Sequence, residues 1–111
     1  LAISDLPELV AATKEFELAG IVATNTTIQR EAKEPNETGG LSGRPLTARA
    51  LSLMHVLRPL LAKEQILVGV GGVMNSNDYQ TRRAAGADLV QIYTGMVYLG
   101  PHAAWEILKT P

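Results

Sequence analysis

No cysteine occurs among the 111 residues of this chain, which excludes disulfides and thiolate-bound metal. The two histidines, His55 and His102, stand too far apart for a local metal-binding motif, so no metal is expected. Charge of one sign is equally scarce. Ten basic residues against eleven acidic ones, a net charge of −1, leave no basic patch of the kind that nucleic acid requires. Apolar runs stay short of the roughly 20 residues of a membrane span, and Leu1-Ala2-Ile3-Ser4-Asp5 lacks the basic opening of a signal peptide. Aromatic residues make up only 5% of the chain, and Tyr79, Tyr98 and Trp105 read as packing or surface residues. What is present is 46% hydrophobic and 19% charged, an ordinary profile with enough apolar surface for one core.

Two glycine-bearing strand ends carry the most information: Val68-Gly69-Val70-Gly71-Gly72 and Val90-Gln91-Ile92-Tyr93-Thr94-Gly95. Their last glycines, Gly72 and Gly95, are one strand-to-strand period of a βα repeat apart. In a (β/α)8 barrel the loops after the last two strands form a phosphate cup, because glycine lets backbone N–H groups approach an anion that a Cβ would hold off. A complete barrel needs roughly 250 residues. Residues 1–111 are therefore expected to be a fragment of a single barrel domain.

The rest of the chain alternates in the same way. Ser4 or Asp5 can cap a first helix with Pro7 in its opening turn; Leu9, Val10, Thr13 and Phe16 form its apolar stripe, and it should end near Gly20. Ile21-Val22-Ala23 follows as a short, fully buried strand whose C-terminal end carries the polar cluster Thr24-Asn25-Thr26-Thr27. From Ile28 to Pro45 the chain is polar and broken by Pro and Gly, and is read as an active-site loop without regular structure. Apolar residues at spacings of three and four from Leu46 to Leu61 describe an amphipathic helix that Pro59 should kink. Ile66 to Val70 is the next buried strand; Ser76 or Asn77 caps a third helix ending at Gly86. A third strand runs from Asp88 to Tyr93, and Gly100-Pro101 opens a final helix. Short apolar strands alternating with helices imply an α/β fold with parallel strands.

Four stretches together narrow the reading: Ala23-Thr24-Asn25-Thr26-Thr27, Thr38-Gly39-Gly40-Leu41-Ser42-Gly43-Arg44-Pro45-Leu46, Gly69-Val70-Gly71-Gly72-Val73, and Gly86 through Gly95. In this order and spacing the chain resembles the C-terminal part of the dihydroorotate dehydrogenase family, flavin enzymes that oxidise dihydroorotate to orotate in pyrimidine biosynthesis. Arg44-Pro45-Leu46 after Gly43, and Gln91-Ile92-Tyr93-Thr94-Gly95 in the last strand, resemble the class 2, quinone-linked branch. The resemblance implies about three βα units of a (β/α)8 TIM barrel and FMN as cofactor. By position it assigns Thr24, Gly43, Gly71, Gly72, Tyr93, Thr94 and Gly95 to the flavin and its phosphate, with Asn25 and Thr26 on dihydroorotate. An asparagine offers a donor and an acceptor in one plane, which suits a planar pyrimidine. The residues also admit plainer readings: a polar turn with local Asx or Ser/Thr bonds at Thr24 to Thr27, a flexible loop at Gly43, and glycine as punctuation between strand and helix. Arg44 reads as a solvated or loop-bracing arginine and His55 as a polar-face histidine.

In the family the catalytic serine, its neighbouring asparagines and a flavin-contacting lysine lie upstream of the part resembled, so no catalytic base is expected here and the chain alone should be inactive. The quinone branch binds its acceptor and docks peripherally on the membrane through an N-terminal extension; that partner and that location are implied by the resemblance alone. Three strands leave two unpaired edges, which favours association with the remainder of a barrel or with itself. Other readings stay open. They are a class 1 dehydrogenase or another FMN barrel oxidoreductase, a non-catalytic phosphate-binding module, and an inert self-associating fragment.

Overall fold

A computed structural model describes residues 2–29 and 38–109. After a 3-10 turn at Ile3–Asp5, helix α1 runs Leu6–Glu15. Asp5 is its N-cap residue but makes no side-chain bond to the helix; its carboxylate instead accepts the Ala2 N–H at 2.9 Å and closes the 3-10 turn, while Pro7 needs no donor in the first turn. The buried row is Leu6, Val10 and Thr13. Leu9 and Phe16, expected in the apolar stripe, are 40% and 70% exposed, because they lie on the neighbouring row of the helix. The helix also stops earlier than Gly20. Glu17 adopts φ 52°, and the Glu17 and Leu18 N–H groups return to the Lys14 and Thr13 carbonyls at 3.1 and 2.8 Å, a Schellman closure built without glycine.

Strands β1 (Gly20–Ala23), β2 (Ile66–Val70) and β3 (Leu89–Gln91) form a parallel sheet in the order β1-β2-β3. Between β1 and β2 lies α2 (Thr47–Leu60), entered through a 3-10 turn at Arg44–Leu46; Pro59 falls in its last turn, just before the helix ends. The loop expected to lack regular structure carries that turn and an antiparallel bridge between Thr27 and Leu41. Helix α3 (Ser76–Ala84) is capped by Asn75, one residue ahead of the expected cap, whose side chain accepts the Asp78 N–H at 2.9 Å. The third strand stops at Gln91, short of Tyr93. A short helix that periodicity did not reveal, α4 (Thr94–Leu99), follows almost at once, and then α5 (Ala103–Lys109).

Register decides which side of the sheet is covered. Ile21 pairs with Leu67, Ala23 with Gly69, and Gly69 with Val90; all point toward the helices, where Leu6, Val10, Met54, Leu57 and Leu67 make the core. The alternate set, Val22, Ile66, Val68 and Leu89, points the other way. No described element covers that face, and Val22 and Leu89 are 59% and 60% exposed. The strands expected to be fully buried are thus buried on one face only: their residues are apolar on both sides, as strands of an all-parallel sheet are, but cover exists on one.

Two outcomes follow from these elements. Relief of the left-handed residue in Glu17→Gly should stabilise the fold by about 0.5–1 kcal/mol, read as a higher urea midpoint at unchanged slope; a lower midpoint would contradict the Schellman assignment. The 111-residue chain by itself should elute as an oligomer held by its apolar sheet face, and Val22→Thr with Leu89→Thr should shift elution toward monomer.

Candidate functional site

Parallel pairing brings all three strand C-termini to one end of the sheet, and there they enclose a cleft of about 160 Å³. All nine residues singled out from the sequence line it. Thr24, Asn25 and Thr26 leave β1; Gly43 comes from the loop before α2; Gly71 and Gly72 follow β2; Tyr93, Thr94 and Gly95 follow β3. The remaining lining includes Ser42, Leu46, Gln91 and Ile92, which sequence reasoning passed over. Ser42 had a signal available, since it sits beside Gly43 in the quoted loop. Its hydroxyl lies 2.9 Å from that of Thr94, joining the loop before α2 to the end of β3.

Two glycines are required by how closely segments approach. At Gly72, with φ 71°, a Cβ would stand 2.5 Å from the Thr47 nitrogen and 2.6 Å from its Cα, so only glycine lets the end of β2 lie against the start of α2. At Gly95 a Cβ would run into the Val73 carbonyl, so only glycine lets α4 start against the loop after β2.

The polar cluster after β1 is held in place rather than loose. The Thr24 N–H extends the sheet by donating to the Val70 carbonyl at 2.8 Å. Asn25 Oδ1 accepts the Thr26 N–H at 2.8 Å, a bond to the next residue that engages the amide oxygen. Thr27 and Leu41 exchange backbone bonds at 3.1 and 2.7 Å, which brings Ser42 and Gly43 back beside the β1 end. Arg49 secures the same turn from α2, donating to Thr27 Oγ1 at 3.0 Å.

Beneath the glycines lies a charged layer. Arg44 pairs with Asp78 at 3.1 Å, which is the loop-bracing role its position suggested, and Asp78 also accepts the Met74 N–H at 2.9 Å. Arg82 is 1% exposed and donates to the carbonyls of Gly71 at 2.6 Å and Thr47 at 3.0 Å. Burial pulls its pKa below the usual arginine value, and the Asp78 charge partly restores it. The Thr47 hydroxyl donates to the Gly72 carbonyl at 2.6 Å.

Among the described residues the cleft lining holds hydroxyls, amides, glycine backbone and the apolar Leu46, Val70, Val73 and Ile92, with no carboxylate and no imidazole. Such a surface can bind a polar or anionic ligand by neutral donors, and it carries no side chain with the ordinary pKa of a general base. Among the described residues no group of three or more His, Cys, Asp or Glu is placed to hold a metal. Trp105 is exposed with Lys109 Nζ 4.3 Å over its ring, and it, Tyr79, Tyr98 and His55 all stand outside the cleft.

A family model described as dihydroorotate dehydrogenase matches residues 3–110. A protein named dihydroorotate dehydrogenase (quinone) from Roseiflexus castenholzii is 45% identical over 110 residues, covering 96% of this chain and 30% of that protein. Its namesake from Alkalilimnicola ehrlichii is 46% identical over 98 residues, covering 85% and 29%. Among solved structures, dihydroorotate dehydrogenase from Eimeria tenella in complex with ferulenol is similar with a TM-score of 0.91 and 33% identity, over 98% of this chain and 30% of that one. The chain thus spans about 30% of the length of the curated relatives it matches. Its three parallel strands and their helices are a portion of a (β/α)8 barrel, and the chain belongs to the dihydroorotate dehydrogenase family.

Proposed function

We propose that the cleft is the FMN-phosphate cup and one wall of the dihydroorotate site in a quinone-linked dihydroorotate dehydrogenase of pyrimidine biosynthesis. The observation that carries this reading is the meeting of three strand ends in one cleft, where glycine backbone and hydroxyls stand beside the apolar Leu46, Val70, Val73 and Ile92. A Cβ at Gly72 or Gly95 would close the approach of segments that build the cradle, which fits a bulky anion bound by backbone N–H groups. In this reading Gly43, Gly71, Gly72, Tyr93, Thr94 and Gly95 hold the phosphate end of FMN and Thr24 touches the flavin. Bound FMN would supply the hydride acceptor for the oxidation of dihydroorotate to orotate.

Asn25 and Thr26 would meet the substrate. The bond from the Thr26 N–H engages the Asn25 amide oxygen and leaves the amide nitrogen, with two protons, to donate to a pyrimidine carbonyl or a carboxylate, while Thr26 offers a hydroxyl. Proton abstraction needs a base, and among the described residues the cleft lining carries none; the family resemblance assigns that role to a serine upstream of the part resembled. The quinone as electron acceptor is supported by the names of the relatives. Peripheral membrane association is implied by the family resemblance alone; among the described residues no helix is long and apolar enough to cross a membrane.

In the complete enzyme, Asn25→Ala should lower kcat/KM for dihydroorotate by about 10- to 100-fold while flavin content stays at one per barrel, since a hydrogen bond to a charged group is worth roughly 1.5–3 kcal/mol. Unchanged turnover would sink the substrate role. Gly72→Ala should yield protein with at least about tenfold weaker FMN binding, measured by quenching of flavin fluorescence, because the added methyl forces the end of β2 away from Thr47.

A further inference from the structure

Among the described residues the cleft lining is uncharged, yet a cation lies directly behind it. Arg82 sits on α3, is 1% exposed, and donates to two backbone carbonyls, that of the cleft-lining Gly71 at 2.6 Å and that of Thr47 at the start of α2 at 3.0 Å. Its other terminal nitrogen faces the Met54 sulfur at 3.9 Å. A guanidinium stays protonated in such surroundings, where Asp78 is the neighbouring anion, itself shared with Arg44. Burial of a cation is costly, and it is weak as a device for stability alone.

Peptide geometry gives it a use. In a trans peptide the N–H points opposite to the C=O, so the carbonyl that Arg82 holds belongs to the same unit as the Gly72 N–H. The Thr47 hydroxyl holds the next carbonyl, that of Gly72, which shares its unit with the Val73 N–H. Both carbonyls are drawn toward the helices, so both N–H groups turn away from them, at residues that line the cleft. Among the described residues neither N–H has a hydrogen-bond partner. A cationic donor on a carbonyl also polarises its peptide and strengthens the N–H as a donor.

We propose that Arg82 is a positioning residue for anion recognition: by holding the Gly71 carbonyl it aims and polarises the Gly72 N–H at the phosphate of FMN, and it supplies the positive charge that the cup lining lacks. This rests on the cleft being the FMN-phosphate cup. Riboflavin, which lacks only the phosphate, separates the two ideas.

In the complete enzyme, FMN and riboflavin affinities are measured by flavin fluorescence for wild type, Arg82→Gln and Arg82→Lys. Wild type should prefer FMN, and Arg82→Gln should lose about tenfold in FMN affinity with riboflavin affinity unchanged, the scale of one charge-assisted hydrogen bond. Arg82→Lys keeps the charge but ends one bond short of the nitrogen that donates to both carbonyls, so its preference should fall between the two. A wild type without preference overturns the phosphate-cup reading itself. A wild type that prefers FMN beside an Arg82→Gln that keeps the full preference, or loses both ligands equally, overturns only the positioning role. Should Arg82→Gln fail to fold, Arg82→Lys decides, and an unchanged FMN-to-riboflavin ratio there overturns the proposal.

Discussion

Everything in the site depends on β2 being hydrogen-bonded in parallel on both sides. Val68 is in register with Val22 on one flank and with Leu89 on the other, so Thr24, Gly71 and Tyr93 leave their strands at nearly the same height. A parallel sheet delivers all its C-terminal ends to one edge, and every loop that follows must begin there. Residues that are distant in the chain, such as Ser42 and Thr94, come within 2.9 Å for this reason. The same register sorts the side chains. Leu67 and Ala23 go to the helices, while Val22 and Leu89 go to the face that in a barrel is the interior.

The cleft combines two kinds of constraint. Steric constraint acts at Gly72 and Gly95, where backbone meets backbone too closely for a side chain. Electrostatic constraint acts one layer below, where Arg44, Asp78 and Arg82 tie the loop before α2, the loop after β2 and the start of α2 into one unit. In the proposed reading the first makes room for an anion and the second orients the donors around that room. Each would be incomplete alone, since an open cradle with unaimed peptides binds weakly and aimed peptides behind a methyl group are out of reach.

How much of this was legible in the sequence depends on the range of the interaction. Gly71, Gly72 and Gly95 were legible because strand-end glycine at a βα spacing has a local meaning, and Asn25 because it stands in a motif. Arg82 was not. Nothing near it in the chain marks it as buried, because its acceptors, the carbonyls of Gly71 and Thr47, are brought by tertiary packing from 11 and 35 residues away. Glu17 misled in the opposite direction: a Schellman closure normally advertises itself by glycine, and the nearby Gly20 belongs to β1. Helix α4 spans only six residues, too few for a helical period to stand out from the apolar strand before it. Val22 shows a further limit, since an apolar residue in a strand says that cover is needed but not which element provides it.

The central claim is that these three strand ends receive the phosphate of FMN. The most direct measurement is a crystal structure of the complete enzyme with FMN bound. The account predicts the phosphate oxygens at about 2.7–3.2 Å from the backbone nitrogens of Gly72 and Thr94. Phosphate density away from this cleft, with Gly72 and Thr94 facing water or protein instead, would contradict it.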